Sequence, residues 1–430
     1  MKAKEYNVPS LRFPEFSEEW LRRKLGDTTK IKHGFAFKGE NFSSKGKYIL
    51  LTPGNFSPKG GFRYQGKKEK YYTSSDFPPE YILEEGDLLT VMTEQAVGLI
   101  GSTLIVPESG QFLHNQRLGL FQPLKIVTRK FLFHYLKTTS LRIELSKTAS
   151  GTKVRHTSPK KIESVKINLP SLPEQQKIAL FFTAVDSKIE QLRKKKALLE
   201  HYKKGMMQKL FSQELRFKDE QGNEFPDWKT RYFGELYEFK STNSFSRNQL
   251  NYETGQVRNI HYGDIHTKFK PKFELFREHV PFINPDVNLD NILYDKFCKE
   301  GDLVIADASE DYNDIGKTIE IVSLEGAKVL AGLHTLLARP STNCIYIGYS
   351  SYMMVSSSVR KQIKFIAQGA KVLGISGKRM EKIKVPIPLP EEQQKIADFL
   401  SSIDKKINLC ATELNHAQSF KKGLLQQMFI

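Results

Sequence analysis

Cysteine is scarce: three in 430 residues, at Cys298, Cys344 and Cys410. The number is odd, the positions lie far apart and no CxxC occurs, which excludes a disulfide framework and the usual zinc spacings and points to a reducing cytoplasm. Long apolar runs are missing as well. Nothing approaches the ~20 residues of a spanning helix, and the opening segment holds no hydrophobic stretch of the signal-peptide kind, so neither export nor membrane insertion is expected. Tryptophan occurs twice, at Trp20 and Trp228. Acidic residues are outnumbered, 48 against 66 Lys and Arg, for a formal charge of +18. With 39% hydrophobic and 11% aromatic residues the chain is too apolar to be disordered. Its surplus positive charge calls for a polyanionic partner. The length allows two or three domains at roughly 150 residues each.

What is present is a repeat. Residues 169–189 and 387–407 match at an offset of 218, and the match runs without a gap from Ala149–Phe211 onto Ala367–Phe429. It includes Gly151 and Lys153 against Gly369 and Lys371, and Phe211 against Phe429. The lead-in segments match more loosely. Leu11, Arg12, Phe13 and Trp20 parallel Leu215, Arg216, Phe217 and Trp228, and Gly86-Asp87-Leu88 parallels Gly301-Asp302-Leu303. His114 and His334 take similar places, each after a leucine, and read as structural histidines. Between these landmarks the copies differ. The organisation is variable region, repeat, variable region, repeat, with boundaries at 1–152, 153–212, 213–370 and 371–430.

The repeats carry a sustained 4-3 apolar pattern. In the first copy the seam is Ile178, Phe182, Val185, Ile189, Leu192 and Leu199. In the second it is Ile396, Leu400, Ile403, Ile407, Leu414 and Leu424. A heptad pattern of this length argues for a coiled-coil partner. The simplest partner for one helix is the other, as an antiparallel pair; docking of each helix on another protein is the competing reading. A lysine enters each seam, Lys203 and Lys421, where a polar residue fixes register. Ser171 and Glu174 read as a capping box with proline in the first turn. At ~1.5 Å per residue each helix would be a rod of roughly 57 Å. The variable regions contain short β-rich runs broken by Gly, Pro, Asn and Asp, and each ends in helix-like stretches at 129–136 and 344–366. The expected class is α+β: two mixed domains, each followed by a long helix.

Catalytic signatures fail one by one. No Asn-Pro-Pro-Tyr turn or glycine-rich AdoMet loop occurs. Gly316-Lys317-Thr318 resembles the end of a P-loop, but Asp311 stands where the first glycine must be. No HExxH or close metal pair exists among the ten histidines. Asp227, Glu238 and Lys240 form a weak nuclease-like string, and a metal-dependent nuclease stays open as an alternative, as does a coiled-coil scaffold without DNA contact.

Charge is unevenly placed: +8 over 1–150, +8 over 151–215, −2 over 216–370 and +4 over 371–430. Candidate DNA contacts are therefore sought in the turns leading into the helices. These are Gly151, Lys153, Arg155, His156, Lys160 and Lys161, with Gly369, Lys371, Lys378 and Arg379 in the second copy. Glycine admits backbone N–H groups to phosphate, and Lys or Arg supplies charge. Basic and aromatic residues alternate in loops of the variable regions. The loop 59–72 offers Arg63, Gln65, Lys67, Lys68 and Lys70, and Arg117 follows later. The second region offers Arg258, His261, Lys268, Lys270 and Lys272.

This arrangement resembles the specificity subunits of Type I restriction–modification systems. The resemblance rests on the Leu169–Ala179 run and its copy at 387–397, on the Trp20 and Trp228 segments, and on the Gly-Asp-Leu strands. It implies two target recognition domains, each reading half of a split site in double-stranded DNA. The helices would be spacer and docking surface for two methyltransferase subunits, joined by restriction/translocase subunits. It implies no catalytic or metal site in this chain; AdoMet, ATP and Mg would sit on the partners.

Overall fold

The computed structural model describes residues 8–57, 60–95 and 98–430. The chain divides into two compact units. One comprises residues up to Lys194 together with Ala411–Ile430, and the other Lys195–Cys410.

In the first unit the apolar run Leu88–Val91 is buried on both faces, which suits it to a central strand. It lies between Leu118–Pro123 and Thr103–Ile105, and Thr29–His33 completes a four-stranded antiparallel sheet. A second, five-stranded sheet runs in the order 42–43, 71–72, 48–50, 112–113, 82–83. Leu21–Lys24 pairs antiparallel with Lys166–Leu169, joining the lead-in segment to the approach to the long helix. Helices Arg129–Tyr135 and Thr139–Lys147 follow the sheets.

The second unit repeats this plan with altered details. Leu303–Ala306, fully buried, is central to a five-stranded sheet ordered 237–240, 335–340, 303–306, 318–323, 272–274. A four-stranded sheet runs 250–251, 282–283, 257–260, 328–331. Lys229–Tyr232 pairs with Lys384–Ile387 as its counterpart does in the first unit. The helical stretch expected at 344–366 is two helices, Tyr349–Met353 and Ser357–Ile366. Ser356 interrupts them because its backbone is extended, with φ −62° and ψ 148°.

The long helices span Leu172–Phe211 and Pro390–Gln427. In the first unit Ile178, Ala179 and Phe182 of one share a core with Leu424, Met428 and the Phe429 that follows the other. Lys421 bonds Asp186. In the second unit Leu210, with Met206 and Phe211, shares a core with Ile396, Leu400 and Ile403. Lys203 donates to both carboxylate oxygens of Asp404 at 2.7 and 2.8 Å. Within each unit the helix segments therefore run antiparallel, and the seam lysines face aspartates on the opposite helix. Ile189 and Leu192 are buried; Val185, Leu199, Ile407 and Leu414 are half-buried.

The helix start needs a correction. Glu174 does not close a capping box on Ser171. Its carboxylate accepts from Arg12 Nε (2.7 Å), Arg12 Nη2 (2.8 Å) and Trp20 Nε1 (3.2 Å). Glu392 does the same in the second unit: Arg216 Nε at 3.1 Å, Arg216 Nη2 at 2.8 Å and Trp228 Nε1 at 3.0 Å. A bidentate guanidinium and an indole satisfy a buried carboxylate better than one backbone N–H does. Burial then puts the duplicated tryptophans against aromatic rings from the helix ends. Trp20 packs edge-on to Phe429 at 6.3 Å, and Trp228 to Phe211 at 6.1 Å.

The next residue in each copy is a second anchor. Gln175 accepts from the Thr128 amide at 3.1 Å and donates to the carbonyls of Ile126 and Pro170 at 3.0 and 2.9 Å. Gln393 accepts from Tyr346 N–H at 2.8 Å and donates to Cys344 and Pro388 at 2.7 and 2.9 Å. The repeated Glu-Gln pair, 174–175 and 392–393, thus ties each long helix to the lead-in segment through Glu and to the end of the sheet domain through Gln.

Candidate nucleic-acid interface

The turns before the long helices are shaped by glycine. Gly151 has φ +117° and Gly369 φ +126°. A Cβ at either would lie 2.1 or 2.0 Å from the carbonyl oxygen of Val154 or Val372. Only glycine fits, so the turn itself requires these two residues. Each turn closes with a pair of backbone bonds, Ser150 to His156 and Gln368 to Gly374. It then adds a short strand to the domain: 155–156 on 93–94, and 373–374 on 308–309. Lys153 and Lys371 are exposed at the tips, and their ammonium groups bond nothing among the described residues. Lys160, Lys161 and Lys378 are likewise exposed and unengaged.

Other candidates are spent inside the fold. Arg155 Nη1 pairs with Glu94 at 2.8 Å, and its Nη2 donates to the Ser146 carbonyl at 2.7 Å. Glu94, almost fully buried, also takes the amides of Leu99 and Ile100 at 2.6 and 2.8 Å. Arg379 Nη1 donates to the Ile366 carbonyl at 2.8 Å. In the 59–72 loop, Lys59 lies outside the described residues. Arg63 donates twice to the Gly54 carbonyl, at 3.1 and 3.0 Å. Gln65 bonds Thr52 and Asn55 in a network that ends on buried Glu69. Lys67, Lys68 and Lys70 stay exposed, Lys70 with its ammonium 5.6 Å from the Phe42 ring.

The second variable region is more self-absorbed. Arg258 donates to the Val280 carbonyl at 2.7 Å and stacks 4.0 Å over Phe282. His261 is buried and accepts from the Gly263 amide, capping the helix Tyr262–Thr267. Burial, then the nearby Arg247 charge, hold its imidazole below the ordinary value. Lys268 pairs with Asp264 at 2.9 Å and donates to the Tyr252 hydroxyl at 2.7 Å. Lys270 and Lys272 donate to Asn408 (2.8 Å) and Ser401 (2.9 Å) on the long helix. Protein acceptors, carboxylate only in the case of Lys268, engage these cations, leaving Lys371 and Lys378 of the repeat as the free positive groups of this half among the sequence-derived candidates.

The expected equivalence of His114 and His334 does not hold. Thr157 N–H donates to the Met92 carbonyl and Ile375 N–H to the Asp307 carbonyl, which makes Met92 and Asp307 counterparts. Met92 N–H donates to Arg117, and Asp307 N–H to His334. Position 334 therefore corresponds to Arg117. His114 is buried, its Nε2 3.0 Å from the Leu118 carbonyl, and burial lowers its pKa to about 4. His334 is half exposed at φ +54° and lies 3.4 Å from Asp307. Its leucine-histidine string resembles that of His114, but the intervening chain differs in length.

The nuclease string does not assemble. Asp227 faces Arg216 at 3.7 Å, and Glu238 pairs with Lys240 at 2.8 Å on the strand Tyr237–Lys240. Among the described residues there is no group of three His, Cys, Asp or Glu able to hold a metal ion. No helix there is long and apolar enough to cross a membrane.

Two copies of one mixed domain, each clamped to a long helix by Arg, Trp, Glu and Gln, define a duplicated modular protein. Family comparison identifies the module: residues 17–201 and 226–418 each match the Type I restriction modification DNA specificity domain. The chain belongs to that family. It is 28% identical over 357 residues to the Type I restriction enzyme MjaVIII specificity subunit of Methanocaldococcus jannaschii, covering 80% of this chain and 79% of that one. It is 24% identical to the EcoBI specificity subunit of Escherichia coli, covering 95% and 87%. The fold matches the S subunit of a Type I system from M. genitalium with a TM-score of 0.60 at 16% identity, over 98% of this chain and 99% of the other.

Proposed function

We propose that this chain is the DNA sequence-recognition subunit of a cytoplasmic Type I restriction–modification complex and performs no bond-making chemistry itself. The carrying observation is the duplicated family match, with two differing sheet domains attached to closely similar helices. Target recognition domains at 1–152 and 213–370 each read one half of a bipartite, asymmetric site in double-stranded DNA. The repeats at 153–212 and 371–430 pair their long helices as an antiparallel coiled coil that sets the spacing and docks two methyltransferase subunits. Restriction/translocase subunits complete the assembly. AdoMet, ATP and Mg bind those partners.

Unequal halves need unequal reading surfaces. Among the sequence-derived candidates, the free cations Lys67, Lys68, Arg117, Lys153, Lys160 and Lys161 belong to the first half, and Lys371 and Lys378 to the second, so salt-dependent grip is concentrated on the first. The test is a footprint of the complex with its modification subunit, combined with methylation-site sequencing in a host carrying both genes. Two protected half-sites separated by unread bases are expected. Replacing residues 20–150 by another such domain changes one half-site and leaves the other. A single contiguous site would overturn the reading.

A further inference from the structure

A surface cleft of about 440 Å³ opens in the first unit where the 93–94 and 155–156 strands meet the turn before Leu118. Its chemistry is that of hydrogen-bond readout. Gln95, Gln116 and Arg117 line it with His33, Thr93 and His156, and no carboxylate is among the lining residues. The wall is rigid. Thr93 Oγ1 is bonded to His156 Nδ1 at 3.0 Å, and buried Glu94 behind it ties Arg155 to the amides of Leu99 and Ile100. The floor is fixed too: the Arg117 amide donates to Asn115 Oδ1 at 2.9 Å, and its carbonyl accepts from Met92 at 2.9 Å.

Three side chains on this frame, Gln95, Gln116 and Arg117, are free among the described residues. Arg63 and Arg155 spend their guanidinium groups on protein acceptors, whereas that of Arg117 bonds nothing among the described residues, and the amides of Gln95 and Gln116 are likewise open. A rigid backbone holding unbonded polar ends is what a reading site needs, because a group already bonded must give up one partner to take another.

The counterpart position separates reading from gripping. The free turn lysines suited to phosphate are kept in both copies, Lys153 with Lys371 and Lys160 with Lys378, whereas the cation at the cleft is not. The residue in the place of Arg117 is His334, and Asp307 beside it replaces Met92. Functional groups have changed while the backbone bonds that hold them have stayed, which fits two readers of different bases.

We infer that this cleft is the base-reading site of the first recognition domain, with Arg117 taking O6 and N7 of a guanine in the major groove and Gln116 or Gln95 taking N7 and N6 of an adenine. The inference rests on the DNA-recognition reading above. It is tested in the complex with the modification subunit, by measuring methylation rates on duplexes changed one base pair at a time. Arg117→Ala loses about 10- to 100-fold of its discrimination at one base pair of the first half-site and none at the second. Arg117→Lys keeps the charge but not the fork and does not restore it. Gln116→Ala or Gln95→Ala, whichever removes the adenine reader, relaxes a different base pair. Uniform weakening on all sequences, reversed by Arg117→Lys, would assign Arg117 to phosphate and overturn the inference, as would unchanged discrimination in Arg117→Ala. These outcomes presuppose a split site for the wild-type complex; its absence would remove the recognition reading and this inference with it.

Discussion

Gln175 offers a direct measure of how firmly a long helix is tied to its domain. The side chain is fully buried and makes three bonds to backbone groups: one accepted from Thr128 N–H, two donated to the carbonyls of Ile126 and Pro170. Gln175→Ala removes all three, leaving the Pro170 carbonyl buried without this partner and the part-buried Thr128 and Ile126 groups without theirs. At about 1 kcal/mol per lost bond, the cost is about 3 kcal/mol. For a unit of this size each kcal/mol lowers Tm by about 2–4 °C, so a fall of about 6–12 °C is expected. The neighbour Gln176 is exposed, and Gln176→Ala should stay within about 0.5 kcal/mol of the parent chain. The assay is thermal unfolding of the full-length protein followed by circular dichroism, with urea midpoints at 25 °C as a second measure. Gln393→Ala and Gln394→Ala repeat the comparison in the second unit, where Gln393 makes the same three kinds of bond. Equal Tm values for Gln175→Ala and Gln176→Ala would refute the anchoring argument.

Three further outcomes are expected. Lys203→Asp places like charges at the Asp404 contact and lowers the urea midpoint, and the swap Lys203→Asp with Asp404→Lys recovers part of the loss. Both groups are partly exposed, so the effect is about 0.5–1 kcal/mol and shrinks in high salt; recovery is partial because the Tyr352 hydroxyl also donates to Asp404 at 2.8 Å. Burial holds the His134 imidazole down to about 3 and His114 to about 4. Between these values and the ordinary 6.5 the unfolded chain binds more protons than the folded one. Stability of the first unit therefore falls as pH drops from 6.5 toward 4, and His134→Phe makes that slope shallower in urea titrations at pH 5 and 7. His334→Ala alters discrimination at the second half-site and leaves the first untouched, read by the same single-base-pair methylation assay.

Much of this protein lies open in its residue order. The offset of 218 exposes the duplication, and the 4-3 spacing exposes both long helices. The Gly151 and Gly369 turns stand out because only glycine tolerates their backbone. Legibility has the same cause in each case: the signal is local, set by helix period or by one residue's allowed φ, and it recurs. The α+β class follows from short apolar runs between turn residues.

The site was less legible. Ten sequence-derived contacts, among them Arg63, His156, Arg258 and Arg379, have side chains bonded within the fold. Sequence shows that an arginine is present, but whether an acceptor waits nearby depends on chain brought from elsewhere. The same limit hid the meaning of the Glu-Gln pair. Glu174 looked like a local cap, yet its partners Arg12 and Trp20 lie more than 150 residues away along the chain. A signal for that pairing did exist: Arg, Trp and Glu are all kept in both copies.

Spacing and composition are enough to establish the duplication, the helices and the total charge. Tertiary structure alone decided which charges remain free. It set Arg117, not His114, in the place of His334, and it converted a repeated glutamate from helix cap to clamp. Those outcomes turn on which distant groups come within hydrogen-bond reach, a property of the packed chain and of no segment within it.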